Sequence, residues 1–297
     1  MERKSFFAGR LLILIAGILW GCMGLFVRPL NEMGLTSWDI VFLRALLTSV
    51  FMLILIFIKD KNLFKIKLRD LWCFAGTGLL SIVFFNLCYF KEITITSLSV
   101  AAILLYTAPA FVMVISAFCF KERLTIRKGI ALVLSFVGLI FVTGVFSGAS
   151  GRLDFSSIII GLGAGLGYAL YSIFSRFALE RGYESYTISF YTFVFASLAT
   201  LFFARPLNVV RVVSGSWGSM GLALVFVIVS TVVPYITYTL GLKSVENGQA
   251  SIIASVEPVV ATLNGILWFN EKMTWSVVVG ITFVLAGIVI SNSRKKS

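Results

Sequence analysis

Two charged residues lie deep in apolar stretches of the sequence. Arg44 is flanked by SWDIVFL and ALLTSVFMLILIFI, and Glu257 lies between GQASIIASV and PVVATLNGILWF. A charge at the centre of a bilayer costs at least about 2.5–3.5 kcal/mol, so each residue must face a partner or a polar cavity. Arg44 could bind a carboxylate or form a gate; the alternatives are a structural ion pair or a side chain that reaches the membrane surface. Glu257 could bind a cation, exchange a proton, or form hydrogen bonds with backbone freed by Pro258.

Aromatic and amide side chains in other apolar stretches could line a cavity around these charges. Aromatic faces bind apolar groups and ammonium groups. The alternative for each of them is packing in the core or against lipid. The predicted substrate-binding residues are Trp20, Arg44, Asn86, Tyr89, Tyr168, Tyr238 and Glu257, and further lining candidates are Tyr106, Tyr171, Tyr235 and Asn264.

Three prolines also lie within long apolar stretches, at Pro109, Pro234 and Pro258. A proline inside a helix removes one backbone hydrogen bond and bends the axis. These positions are therefore predicted hinges or kinks. They could serve transport by exposing carbonyls at a site, or they could be static bends.

The residue inventory excludes several kinds of chemistry. The chain has no His, so His-based metal sites and Ser-His or Cys-His nucleophiles are excluded. Its four cysteines form no CxxC motif, and GLGAGLGYAL lacks the strand context of a dinucleotide loop. Those glycines instead predict close helix packing. We predict no catalytic residue, no metal and no cofactor.

The composition indicates what must position these residues. Of 297 residues, 59% are hydrophobic and only 13% are charged, with a mean hydropathy of +1.00. Soluble domains keep about a quarter of their residues charged, so this is the composition of a multi-span membrane protein. The net charge of +12 could indicate nucleic acid, but in a membrane protein it more often marks cytoplasmic loops. We predict no nucleic-acid partner.

Apolar runs of about 20 residues predict ten transmembrane helices. The spans lie near 10–28, 38–58, 71–90, 97–119, 129–146, 156–176, 186–204, 218–241, 249–269 and 275–292. Most Lys and Arg fall on one side, in the N-terminal segment, in the loops after spans two and four, and at 294–296. This bias predicts a plasma-membrane protein with both termini in the cytoplasm, more strongly in the first half than in the second.

The two halves of the chain resemble each other at a nearly constant offset of 148 to 149 residues. Each half, 1–147 and 148–297, would contain five spans. Because five is odd, the halves would cross the membrane in opposite directions, as the repeats of many secondary transporters do. The predicted fold is thus all-α, with ten transmembrane helices in two inverted five-helix repeats. The matched pairs include Trp20 and Tyr168, Arg28 and Arg176, Pro109 and Pro258, and Glu122 and Glu271.

Four stretches carry a resemblance to a known family: ILWGCMGLFVRPL, FLRALL, YTAPAFVMVISAFCFKERLT and ASVEPVVATLNGILWFNEKMT. The chain resembles the ten-helix EamA family of the drug/metabolite transporter superfamily over almost its whole length. It departs from the family pattern at Tyr168 and Ala169, where Trp-Gly is usual, and at Asn270, where Gly often precedes the Glu. The resemblance implies a transporter of small metabolites, often an exporter.

We therefore predict a secondary transporter that exports amino acids or related small metabolites, since Arg44 and Glu257 offer opposite charges. An exporter of drugs or organic cations is the alternative, and it would depend on Glu257 and the aromatic residues. An intramembrane enzyme is less favoured because no second deep acid or activated nucleophile is visible. A channel or lipid scramblase leaves the repeat less well explained. The sequence does not give the oligomeric state.

Overall fold

A computed structural model describes residues 2–143 and 154–292. Within those ranges the chain is helical and has no strand, so the predicted all-α membrane class is confirmed. The predicted boundary at 147/148, Arg152 and the basic residues 294–296 lie outside the described residues.

The first half of the chain contains eight α-helices. Short 3₁₀ turns at Lys61–Phe64 and Leu68–Asp70 connect the third helix to the fourth. The helices are α1 (Glu2–Gly21), α2 (Gly24–Glu32), α3 (Ser37–Lys59), α4 (Leu71–Ala75), α5 (Phe84–Ile95), α6 (Leu98–Leu105), α7 (Ala108–Cys119) and α8 (Ile126–Val142).

The second half contains eight more α-helices. They are α9 (Phe155–Glu180), α10 (Ser185–Thr200), α11 (Pro206–Ser214), α12 (Trp217–Val227), α13 (Val233–Leu242), α14 (Asn247–Ala254), α15 (Glu257–Phe269) and α16 (Trp275–Asn292).

Eight continuous or broken helices among the described residues are long and apolar enough to cross a membrane. Two other predicted spans coincide with α8, which has 17 residues, and α10, which has 16. The number ten therefore stays a prediction. The eight candidate spans are Phe6–Glu32, Ser37–Lys59, Leu68–Ile95, Ser99–Cys119, Phe155–Glu180, Trp217–Leu242, Asn247–Phe269 and Trp275–Asn292.

Polar side chains at the membrane edges start several of these helices. The Thr36 hydroxyl accepts from the Asp39 amide while the Asp39 carboxylate accepts from the Thr36 amide, which is a reciprocal capping box. Asp154 accepts from the Ser157 amide at 2.8 Å, and this hydrogen bond holds the pKa of Asp154 below its usual range. Such caps satisfy N–H groups that have no partner within the first turn.

Two of the candidate spans are interrupted at equivalent points. Helix α6 ends at Leu105 and α7 begins at Ala108, while α14 ends at Ala254 and α15 begins at Glu257. Pro109 and Pro258 lie in the first turn of the second half-helices, where proline fits because that N–H has no intrahelical acceptor. These two prolines therefore follow breaks between half-helices rather than kinks inside continuous ones.

Pro234 lies in a different setting. It occupies the first turn of α13, directly after a π-helical segment at Ile228–Val232. A π-helical segment also precedes α5, at Gly76–Val83, and its sequence has no proline. Wide turns of this kind are frequent at functional sites. At Pro234 the missing N–H gives a physical reason for the local widening.

The helix boundaries recur at the offset seen in the sequence. Helices α6, α7 and α8 begin at Leu98, Ala108 and Ile126, and α14, α15 and α16 each begin 149 residues later. Lys121 and Asn270, also 149 residues apart, adopt positive φ values of 55° and 56°. Glycine and asparagine tolerate this conformation best, which explains why the residue before the Glu is often Gly.

The glycine run of α9 packs against the first break. A Cβ placed on Gly165 would lie 2.8 Å from the Leu104 carbonyl oxygen and 3.1 Å from that of Leu105. Gly17, the repeat partner of Gly165, stands 3.1 Å from the Ala254 carbonyl oxygen by the same measure, at the second break. These glycines allow α1 and α9 to approach the broken spans closely, as small residues do in membrane helix pairs.

We expect Gly165→Ala to destabilise the protein by about 1–3 kcal/mol, because backbone atoms of α6 would have to move. The matched control is Gly221→Ala in α12, where an added Cβ meets nothing within 4 Å. That change should leave stability unaltered or raise it by up to about 1 kcal/mol, since Ala favours helix more than Gly does. Melting temperatures of the purified proteins test this. Equal melting temperatures for both variants would contradict the packing argument.

Candidate functional site

Arg44 lies in the second turn of α3 and is buried, with 6% of its surface exposed. Among the described residues its one hydrogen bond goes from Nη1 to the Met23 sulfur at 3.4 Å, and Met23 lies in the break between α1 and α2. Arg44 forms no ion pair with any described residue, whereas the buried Asp39 and Lys128 side chains each lie within 4.0 Å of an opposite charge. A buried guanidinium without a carboxylate is an incomplete anion site.

Glu257 is the first residue of α15, at the second helix break. The Tyr168 hydroxyl donates to its Oε2 at 2.6 Å. The Tyr106 hydroxyl, from the first break, also faces this carboxylate, and Tyr89 lies within electrostatic range of it. Three tyrosines therefore surround the carboxylate, and the first turn of α15 places it at the positive end of a helix dipole.

Aromatic rings fill the space beside the two charges. Trp20 contacts Tyr235 and Tyr238, with ring centroids 5.3 Å and 5.2 Å apart, and Tyr171 contacts Tyr235 at 4.8 Å. The Trp20 indole N–H is buried and has no acceptor among the residues that the structure describes. A buried donor without a partner is costly unless something completes it. This group, Trp20, Tyr171, Tyr235 and Tyr238, is called the aromatic cluster below.

Arg44 and Glu257 lie near the same tyrosine but are not in contact with each other. Arg44 interacts electrostatically with both Glu257 and Tyr235, and Tyr235 interacts with both charges in turn. No ion pair joins Arg44 to Glu257. One cation, one anion and the Trp20 N–H donor thus lie around the ring of Tyr235. This arrangement can hold a ligand that carries both a negative and a positive group.

Both halves of the chain match the same family of known proteins. The sequence model of the EamA-like transporter family matches residues 7–144 and again residues 155–293. The chain belongs to the EamA-like transporter family. Membership of this family implies a small-molecule substrate and a lipid environment, and it makes the chain an integral membrane protein.

Relatives of this EamA-like protein carry transporter names. An uncharacterized transporter of Archaeoglobus fulgidus is 31% identical over 95% of this chain and 96% of its own length. One from Clostridium kluyveri is 29% identical over 97% and 94%, and YetK of Bacillus subtilis is 24% identical over 86% and 78%. A solved crystal structure aligns with a TM-score of 0.77 at 14% identity, covering 96% of each chain, which shows likeness of fold alone.

The sequence-predicted site residues of this EamA-like protein separate into two groups. Six of the seven, all except Asn86, are the two charges themselves, the tyrosines beside Glu257 or members of the aromatic cluster. Asn86 donates to the Ile82 carbonyl of its own helix at 2.7 Å. Tyr238 exchanges a 2.6 Å hydrogen bond with the Ser172 hydroxyl. Pro234 lies on the element that carries Tyr235, whereas Pro109 and Pro258 flank the two breaks.

The breaks also bring together residues that sequence reasoning left out of the site. Met23 was missed, and nothing in its sequence context signals contact with Arg44. Tyr106 was only a lining candidate, although its position three residues before Pro109 places it in the first break. Asn264, another lining candidate, donates to the Gly21 carbonyl at 3.2 Å. It thereby satisfies a backbone oxygen at the end of α1, where the helix is interrupted.

Pro109 and Pro258 line one small cavity together with Tyr106 and Ser255. Its volume of about 10 Å³ is close to the minimum that a single water molecule requires. The two breaks therefore face each other across a space too small for a metabolite in this conformation.

Proposed function

We propose that this protein is a secondary transporter that exports amino acids or related small metabolites by alternating access. The supporting observation is the buried Arg44 without a carboxylate partner, in electrostatic range of the tyrosine-bound Glu257. A zwitterion that bridged them would place its carboxylate on Arg44 and its ammonium group on Glu257. Its side chain would then contact the aromatic cluster. We assign no catalytic role to any residue.

The architecture proposed for this transporter is ten helices in two inverted five-helix repeats, residues 1–147 and 148–297. Support comes from the double family match, from the recurring helix starts and from the paired positive-φ residues. Discontinuous helices that meet at the bilayer midplane are typical of substrate sites in repeat-built transporters. The breaks at 106–107 and 255–256 have that form.

We place this protein in the plasma membrane with both termini in the cytoplasm. The support is the distribution of Lys and Arg along the sequence, which follows the positive-inside rule. On this orientation, the end of the bundle that carries Lys128 and Arg176 faces the cytoplasm, and the end that carries Arg28 faces outward.

Export of drugs or organic cations is the second candidate. It is favoured by the three tyrosines around Glu257 and by the aromatic cluster, since an anion among aromatic faces suits a lipophilic cation. This candidate gives Arg44 no substrate group to bind.

A matched set of three ligand types tests the proposal. The purified protein is heated with each standard amino acid, with its amide, which lacks the carboxylate, and with its deaminated acid. We expect at least one intact amino acid to raise the melting temperature more than both of its analogues, because only it engages both charges. Counterflow of that amino acid in proteoliposomes then measures transport.

The other outcomes separate the candidates. Equal stabilisation by the amide and the amino acid would favour the cation exporter, because the carboxylate then contributes nothing. Failure of every ligand to bind or to move in proteoliposomes, with and without a proton gradient, would overturn both transporter assignments.

A further inference from the structure

A largely buried charge network at one end of the bundle joins the two halves of the chain. Glu122 accepts from the backbone N–H groups of Asn247 at 2.7 Å and Gly248 at 3.1 Å, which cap α14. Lys128 lies 3.7 Å from Glu122 and 2.6 Å from Glu246. The Glu122 and Lys128 side chains are only 7% and 11% exposed. We call this end the Lys128 face.

Arg176 holds the same segment from another helix. Its Nη2 donates to the Val245 carbonyl at 2.6 Å, and its Nε donates to the Asn247 side-chain oxygen at 3.1 Å. Residues 245–248, just before and inside the first turn of α14, are therefore bound by an acid and a base from the rest of the bundle. Glu122 is therefore the side-chain cap of α14.

The opposite end is held differently by the matching residues. Glu271 and Arg28 are the repeat partners of Glu122 and Arg176, and they bind each other at 2.6 Å with both side chains 48% exposed. In the described structure no hydrogen bond or ion pair joins either residue to the start of α6, which is the repeat partner of α14. Ser99 donates to the Thr143 carbonyl and Ser276 donates to the Phe141 carbonyl, so the start of α6 lies at the same end as the start of α16, just after Glu271. We call this end the Arg28 face.

The backbone around the two acids is nevertheless the same. The Glu122 N–H donates to the Ser116 carbonyl at 3.3 Å, and the Glu271 N–H donates to the Gly265 carbonyl at 3.1 Å, again 149 residues apart. Lys121 and Asn270 precede the acids with the same left-handed conformation. Glu122 and Glu271 thus have equivalent backbone conformations, but Glu122 caps the start of a helix whereas Glu271 binds an arginine.

We propose that these two arrangements are the two positions of one gate, and that they are exchanged between the faces during the cycle. In the other state Glu271 caps α6 at residues 98–99, Arg28 binds the carbonyl of Thr96, and Glu122 pairs with Arg176. The Arg28 face is then closed and the Lys128 face is released. This inference rests on the inverted repeat of the proposed function.

A helix–helix contact beside the charged residues, together with its repeat partner, reports which face is closed. In the described state a Cβ on Gly248 would lie 3.1 Å from the Met113 side chain, so α14 packs on α7. The repeat partners of Gly248 and Met113 are Ser99 and Thr262. The exchange therefore brings Ser99 of α6 against Thr262 of α15 when the Arg28 face closes.

Disulfide trapping measures both contacts in a full-length chain whose four native cysteines are replaced by Ala. Met113→Cys with Gly248→Cys reports closure of the Lys128 face, and Ser99→Cys with Thr262→Cys reports closure of the Arg28 face. Each pair is oxidised in proteoliposomes with the native acids, with Glu122→Gln, with Glu271→Gln and with both substitutions. A disulfide requires the two Cα atoms to lie within about 7 Å, so only the closed face is trapped.

We expect Glu122→Gln to slow the 113–248 bond and to speed the 99–262 bond by about tenfold. The described state loses buried hydrogen bonds to a charged group, whereas the other state loses only an ion pair as exposed as Arg28–Glu271. Glu271→Gln should do the reverse. The double substitution should bring the ratio of the two rates back towards the native value. A fast 113–248 bond with native acids shows that the chain is folded and that the oxidant reaches the pair.

Several results would overturn the exchange. One is a slower 113–248 bond in Glu122→Gln with no gain at 99–262, which would make Glu122 a cap and nothing more. Another is the same response to both single substitutions. If the protein transports a ligand but shows either result, the gate is refuted and the transport function is kept. If the two single substitutions change the two disulfide rates in opposite directions but the protein moves no ligand, the proposed transport is refuted and the gate is kept.

Discussion

Arg44→Gln should weaken binding of a carboxylate-bearing substrate by at least about 30-fold. Truncating one partner of a buried charge pair costs about 2–5 kcal/mol, and each 1.4 kcal/mol is a factor of ten in affinity. The reason lies in the free state of Arg44, which has a methionine sulfur as its one hydrogen-bond acceptor. The substrate carboxylate would be its principal partner. Binding is measured by titration of the purified protein, and transport by uptake into proteoliposomes.

The folded state should be little affected by this change, because Arg44→Gln leaves no ion-pair partner behind in the described structure. Arg211→Gln is a matched control, since Arg211 binds Asn208 at an exposed site away from the cluster. An amine analogue without a carboxylate should bind the Arg44→Gln protein as well as the native one. If the native and Arg44→Gln proteins bind the amino acid equally, Arg44 is outside the site and the zwitterion proposal is wrong.

Glu257→Gln should have the complementary effect. We expect binding of substrates with an ammonium group to fall by about tenfold or more, because a charge-assisted contact contributes about 1.5–3 kcal/mol. The glutamine side chain keeps an oxygen that can accept from Tyr168, so the local hydrogen bond at 2.6 Å is preserved while the charge is removed. Deaminated analogues should bind with unchanged or improved affinity. The measurement is the same titration, with each amino acid compared to its deaminated acid.

Tyr168→Phe is the control for a purely structural role of this pair. It removes the hydrogen bond to Glu257 and keeps the charge, so the preference for an ammonium group should survive even if the affinity falls. Suppose instead that Tyr168→Phe and Glu257→Gln give the same loss for amino acids and for deaminated acids. The carboxylate would then support the helix break and would not contact the substrate.

Much of the fold follows from composition and periodicity. Apolar runs separated by short basic loops predict membrane helices because the bilayer sets their length, and long helices occur at those runs. The apolar runs do not predict where a membrane helix is interrupted. The stretch from Ser99 to Cys119 is apolar throughout, yet it contains the break at 106–107, and Pro109 alone does not distinguish a bend from a new helix start. The break packs closely against Gly165, which belongs to the other half of the chain and is not adjacent to it in sequence.

The candidate site, like the fold, could be predicted only in part. Arg44 and Glu257 stand out because charge is costly in an apolar run, and Tyr168 stands out because it matches Trp20 in the repeat. Helix packing brings Tyr106, from the first break, to Glu257. It also brings the sulfur of Met23 to Arg44. Asn86 looked equivalent to them in sequence, but its amide binds its own helix.

The Lys128–Glu246 ion pair has a consequence for energetics, because it has no counterpart in the other repeat. The positions equivalent to Lys128 and Glu246 are Val277 and Ser97, neither of which carries a charge. With Glu246 about half exposed, the pair contributes about 1 kcal/mol. If the proposed exchange occurs, this pair would make the two orientations of the empty protein unequal by about fivefold. The resting population would favour the state with the Lys128 face closed, and return to it would be downhill without any ligand.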